Sequence, residues 1–209
     1  MATTAQSIID TLQKILVDVN VRWATTTEVL VAVNAAVRAV SEARPDSTNV
    51  VGELTLVDGT KQTLPTGASA LVDLMHNVDG RAVTHVPMRL LDAQSPNWHI
   101  ATAAVTKHYC YDPRSPRTFY VYPPATAGAE VVAKYQMPPT AVAAADPIPI
   151  GDEWVNAIRE YALYLLYLKD ADYSPTNARA LMHMGHFKEL VGLKTGADGS
   201  NVPSVAEAA

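Results

Sequence analysis

Apolar residues recur at helical spacing toward both ends of the chain and at strand spacing in its middle. Ile8, Leu12, Ile15, Leu16 and Val19 fall at i, i+4, i+7, i+8 and i+11, one face of an α-helix that Asn20 is placed to end. Thr25-x-x-Glu28 then reads as a capping box, in which hydroxyl and carboxylate each satisfy a backbone N–H left over in the first turn. Val29, Val33, Ala36, Val37 and Val40 continue that second helix. Pro45 closes it near Ala43, because Arg44 before the proline is biased out of the helical region. The short link predicts antiparallel neighbours that share their apolar stripes.

From Val50 the period falls to two. Val51, Glu53, Thr55 and Val57 alternate with Val50, Leu54 and Leu56, and Asp58-Gly59 follows at once. Asp-Gly tolerates positive φ, so the pattern predicts a hairpin with its return strand at Lys61–Leu64. Ala70–Asn77, after Thr66-Gly67, reads as a short amphipathic helix. Strand-like pieces follow at Ala82–Val86, Trp98–Ile100, Val105–Tyr111, Thr118–Tyr122 and Glu130–Gln136. Proline and glycine punctuate them as in a small sandwich or barrel-like sheet. Pro138-Pro139 through Pro147 and Pro149 predicts an extended connector.

Helical spacing resumes after Gly151, with Asp152 as a good N-cap. Trp154, Ile158, Tyr161, Leu165 and Leu168 form one stripe, with Val155, Ala162 and Leu166 beside it; Trp154, Tyr161 and Leu165 are the expected buried anchors. Ser174-Pro175 is an N-cap followed by proline at the first helical position, and Ala180, Met184, Phe187 and Val191 mark the last helix. Gly192 suits its C-terminal cap, and Thr195 to Ala209 show no apolar period. The fold class is therefore α+β: an antiparallel helical bundle built from both chain ends, residues 1–45 and 150–193, carrying an inserted β-rich, sandwich- or barrel-like domain at 46–149 with one short helix. Residues 194–209 are expected to form a flexible C-terminal tail.

Composition narrows the function. The 209 residues are 48% apolar and 18% charged, enough for the core of one domain or two intimately joined ones. Sixteen Lys and Arg stand against 21 Asp and Glu, a formal charge of −5 with the basic residues scattered. Gripping nucleic acid calls for a basic stripe, and none is present. The single cysteine, Cys110, excludes an intramolecular disulfide framework and any multi-cysteine metal site. The longest apolar run, Tyr161 to Leu168, falls far short of the ~20 residues that span a bilayer, and MATTAQSIID carries no secretion signal. A protein without membrane association is expected.

The search for chemistry yields weak candidates. His183 and His186, three apart on the last helix, can share a face, and Cys110 or Asp170 could join them; the two-histidine-plus-glutamate pattern of metalloproteases is absent, so a structural or surface role is preferred. His76, His85, His99 and His108 stand singly in the strand-rich region. Asp152-Glu153 fits a helix N-terminus and Asp170 with Asp172 a C-terminal loop, which favours capping over an acid/base pair. His108 and Cys110 point to one face of a strand, but a half-buried structural thiol is the better reading. Tyr109, Tyr111, Phe119, Tyr120 and Tyr122 flank Arg114 and Arg117, either a stacking platform for nucleic acid or, as the charge favours, ordinary sheet aromatics. No catalytic residue, cofactor or metal ligand emerges.

The order of these features is similar to that of the tailed-bacteriophage head-to-tail adaptor (connector) proteins. The resemblance is carried by Trp23, by Thr27-Glu28-x-Leu30-x-x-x-Asn34, and by Gly59-Thr60-x-Gln62-x-Leu64-Pro65. It continues with Leu91-Asp92, Pro96-x-Trp98, Asp112-x-x-x-Pro116-x-x-Phe119, Tyr122-Pro123-Pro124, and Tyr135 with Pro138. It ends with Tyr161 to Asp170, then Arg179 and Phe187, with Leu168 where a smaller or polar residue is expected. The resemblance implies a virion structural protein without enzymatic activity, forming a ring of about twelve copies at the head–tail interface. Its implied partners are the portal protein and the tail or nozzle proteins, with genomic DNA passing through the lumen without sequence-specific binding and assembly in the host cytoplasm. Terminal segments of such adaptors grip the portal, which makes Val202, Pro203 and Val205 the portal-contact candidates. Two other readings of the residues stand beside it: a carboxylate-dependent wall-degrading hydrolase using Asp152 and Glu153, and a monomeric β-domain binding module.

Overall fold

The computed structural model describes residues 3–18, 24–100, 105–169 and 174–201. The protein is α+β, with five α-helices and two open sheets and no closed barrel among the described residues. It divides into a helical unit, residues 1–47 with 139–209, and a β unit, residues 48–138.

In the helical unit, α1 (Ala5–Ile15), α2 (Thr26–Ala43), α4 (Val155–Leu168) and α5 (Ser174–Asn201) surround one core. Helix α1 buries Ala5, Ile8, Ile9 and Leu12 and stops at Ile15, earlier than expected; Val19 and Asn20 lie outside the described residues. Helix α2 opens with the expected capping box: Thr25 Oγ1 accepts the Glu28 N–H and Glu28 Oε2 accepts the Thr25 N–H at 2.7 Å. It ends at Ala43 before Pro45. Residues 139–149, expected to be a connector of the β domain, contain no helix or strand and belong to the helical unit. Hydrogen bonds to α1 and α2 hold them there. The carbonyls of Ala144 and Asp146 accept the first N–H groups of α1, which have no partner inside their own helix. The Asn34 amide also makes a reciprocal pair with the backbone of Val142, donating at 3.1 Å and accepting at 2.9 Å.

Three expectations about the later helices are corrected. Asp152 opens a short 3₁₀ turn, Asp152–Trp154, and its side chain accepts the Thr3 N–H instead of capping α4. That bond holds its carboxyl below the ordinary value. Trp154 is buried, with the Arg44 guanidinium 5.3 Å from its ring, whereas Tyr161 and Leu165 are only half-buried. The buried residues of α4 are Ala157, Ile158, Ala162, Leu163 and Leu166, so the buried stripe is turned toward Leu163. Helix α5 begins at Ser174 as expected but does not end at Gly192; it continues to Asn201.

The β unit holds the sheet β1–β7–β3 and the sheet β2–β6–β5–β4. The strands are β1 (Asn49–Thr55), β2 (Gly59–Thr63), β3 (Ala70–Asn77), β4 (Thr84–His85), β5 (His108–Tyr111), β6 (Thr118–Ala125) and β7 (Glu130–Gln136). Neighbours are antiparallel except β4 and β5. Leu54, Leu71, Leu74, Val131, Ala133 and Tyr135 of one sheet share a core with Tyr109, Phe119 and Val121 of the other.

The Asp58-Gly59 hairpin is not formed. Gly59 has φ +100°, as the turn needs, but β1 pairs with β7 and β2 with β6, so the chain changes sheets at this corner. The buried amide of Gln62 replaces the missing ladder, accepting the Val57 N–H and donating to the carbonyls of Val57 and Gly59. Ala70–Asn77 is the strand β3 instead of a helix, Trp98–Ile100 is a turn instead of a strand, and a helix, α3 (Met88–Gln94), stands where none is expected. Helix α3 and the following turn cover the outer face of the second sheet, where Leu91, Trp98 and Cys110 form a small core against Val86, Tyr120 and Tyr122. The Trp98 indole N–H donates to Asp92 at 2.9 Å, which explains Leu91-Asp92 and Trp98 as one local device.

Candidate functional site

Helices α4 and α5 bring together the most chemically distinctive group of side chains. His183 and His186, three apart on α5, share a face by the 3.6-residue period, and that face lies on Glu160 of α4. Nδ1 of His183 is 2.7 Å and Nδ1 of His186 3.4 Å from the same carboxylate oxygen, Oε2 of Glu160. Tyr167, two turns along α4, stacks on the His183 ring with centroids 5.4 Å apart and planes within 5°. The His183 side chain is 13% exposed and that of His186 52%, so the group is anchored at one end and open to solvent at the other. A cleft of about 330 Å³ adjoins it, lined by Asn156, Arg159, Glu160, His186, Glu189 and Leu190. The sequence pairs the two histidines but names Cys110 and Asp170 as possible third members. The third member is Glu160; Cys110 sits in the small core of the β unit, and Asp170 lies outside the described residues.

A second feature is the groove between α2 and α4, about 220 Å³, lined by Glu28, Val31, Ala32, Ala35, Leu165, Leu166 and Lys169. Val31 stands 64% exposed on its wall. Lys169 closes one end by donating to Glu28 at 2.8 Å. This bond and those from the Thr25 N–H and hydroxyl hold the Glu28 carboxyl down at about 2.

The β unit contains a larger cleft, about 550 Å³, between Lys61, Pro87, Met88, Arg89, Asp92, Tyr111 and Asp112, with Cys110 and Tyr120 at its base. It does not activate the thiol. Burial, with the Asp92 charge nearby, pushes Cys110 up to about 11, so it is protonated near neutrality. His108 does not serve it as a base: its Nδ1 is hydrogen-bonded to the Thr84 hydroxyl at 2.6 Å and its ring stacks on Tyr122. The aromatics near Arg114 and Arg117 are packing residues. Phe119 and Tyr109 are buried, and the Tyr109 hydroxyl donates to Asp73 at 2.8 Å, while both arginines are exposed. Asp152, bound to the Thr3 N–H, is engaged as a structural acceptor. Asp172, Trp23 and the portal-contact candidates Val202, Pro203 and Val205 lie outside the described residues. No described helix is long and apolar enough to cross a membrane.

These surfaces offer grooves, exposed apolar side chains and engaged polar groups. No curated protein matches the chain. The family model described as SU10 adaptor protein matches residues 3–205, through every helix and strand of both units. That match agrees with the head-to-tail adaptor resemblance carried by Asn34, Gln62, Trp98 and Tyr135, residues now seen to hold a connector, a sheet corner, an outer core and an inner core. The chain belongs to the SU10 adaptor protein family.

Proposed function

We propose that this protein is a structural component of a tailed-phage virion that assembles as a homo-oligomeric ring of about twelve copies between the portal above and the tail or nozzle proteins below. The observation that carries this reading is the family match over residues 3–205. In it, both ends of the chain build an antiparallel helical bundle, the β unit is the inserted domain, and the ring is assembled in the host cytoplasm. The genome passes through the lumen without sequence-specific contact. The net charge of −5 supports a conduit, since a basic lumen would hold the duplex by counterion release. No activity on a substrate is needed, because surfaces do the work of an adaptor.

The portal grip is assigned to the end of the chain, with Val202, Pro203 and Val205 as small apolar contacts repeated around the ring; weak single contacts then add up to firm attachment. Mass measurement and electron microscopy of the protein, alone and mixed with purified portal, test the reading. Rings seated on the portal are the expected result, and a protein that stays monomeric beside assembled portal overturns it.

A further inference from the structure

We propose that Glu160, His183 and His186 form a binding site for one divalent first-row transition-metal ion, zinc above all, linking α4 to α5. Three observations converge on it. One donor atom from each of the three residues lies within 4.8 Å of the others, although they come from two helices. Both histidines present the same ring nitrogen, Nδ1, to one oxygen of Glu160. And the Tyr167 ring fixes the orientation of His183, the support a ligand needs if it is to be held in place before the ion arrives.

Donor chemistry selects the ion. Two imidazoles and a carboxylate suit zinc and its neighbours, whereas magnesium and calcium require oxygen ligands. Spacing fits as well. Ligands at about 2.1 Å from a tetrahedral ion stand roughly 3.4 Å apart, and the His186–Glu160 separation is 3.4 Å. The His183–Glu160 separation of 2.7 Å is that of a hydrogen bond; replacing that bond by two bonds to the ion lengthens it by about 0.7 Å, with the coordinated imidazole carrying its proton on Nε2. The half-exposed side of His186 provides the entry path and leaves a fourth position for water. Arg159 and Glu189, which line the adjoining cleft, add one charge of each sign.

The test uses the full-length protein freed of any histidine tag, stripped with chelator and titrated with zinc chloride by calorimetry at about pH 7.5. One ion per chain is expected, together with a rise in Tm that magnesium and calcium chloride do not produce. Cobalt(II) chloride should give the intense visible absorption of a four-coordinate site. His186→Ala, at a ring half in solvent, should fold as the parent does and bind zinc about tenfold more weakly or worse. Glu160→Gln should weaken it similarly, while His99→Ala in the β unit should leave it unchanged. Absence of zinc binding up to millimolar concentration, or an affinity that His186→Ala leaves intact, overturns the site.

Discussion

Asn77 ties two loop segments to the end of β3. Its buried amide donates to the carbonyls of Arg81 and Thr106 and accepts the Thr106 N–H, so one side chain satisfies three backbone groups. Asn77→Ala strands the two Thr106 groups, while the Arg81 carbonyl keeps the backbone N–H of residue 77, and a buried polar group without a partner costs about 1–3 kcal/mol. A loss of roughly 2–4 kcal/mol is expected in urea denaturation followed by fluorescence, against well under 1 kcal/mol for an exposed polar site. Glu28 works at the surface and through pH. Its carboxyl is held at about 2, against an ordinary value of 4.5, by Lys169 and by the Thr25 cap. The unfolded chain therefore binds its proton first as pH falls, so the stabilisation from Glu28 is complete above about 4.5 and is lost between there and about 2. In thermal melts across pH, Glu28→Gln should lie below the parent near neutrality, and the gap should close through that window.

At the scale of elements, what could be read in advance depended on whether the residue period matched the backbone. Helix α2 was legible at both ends because its signals are local: the Thr25/Glu28 box and Pro45. Strand β3 was not. Leu71, Leu74 and Asn77 are its buried residues, a spacing of three that imitates a helix. Two bulges, between Leu71 and Asp73 and between Leu74 and His76, each add a residue, so these three all face inward opposite Tyr135, Ala133 and Val131. The Asp58-Gly59 turn was legible as a turn, but pairing is a non-local choice, and Gln62 commits the corner to two sheets. The histidine pair was visible in the sequence; Glu160 was not, because the packing of α5 on α4 supplies it. Helix α4 misled by a fraction of a turn. Leu163, 2% exposed, is the deeper residue, so Leu163→Ala should cost about 2–5 kcal/mol and Leu165→Ala clearly less in the same denaturation assay.

For the whole molecule, a cut at the far end of α5 tests the proposed portal grip apart from the fold. The last helix reaches Asn201, so cutting after Asn201 preserves every described element and removes Val202, Pro203 and Val205. The truncated protein should melt as the parent does and sediment with portal rings less well; equal co-sedimentation would show that the portal grip lies elsewhere. The place where the β unit joins the chain has a different consequence. Its first and last residues meet: the Met137 N–H donates to the Thr48 carbonyl at 2.9 Å, and Asn49 pairs with Gln136. As a disordered loop, the roughly ninety residues of the β unit, set within the link from α2 to α4, would oppose the meeting of those helices, with each doubling of length adding about 0.6 kcal/mol. Once its strands have closed, the same stretch acts as a tether of a few residues, lowering that entropic barrier by about 2 kcal/mol. Sheet closure ahead of helix assembly is therefore the expected order of folding. Phe119→Ala, in a core that the helices do not share, should slow the gain of helical circular dichroism in stopped-flow refolding.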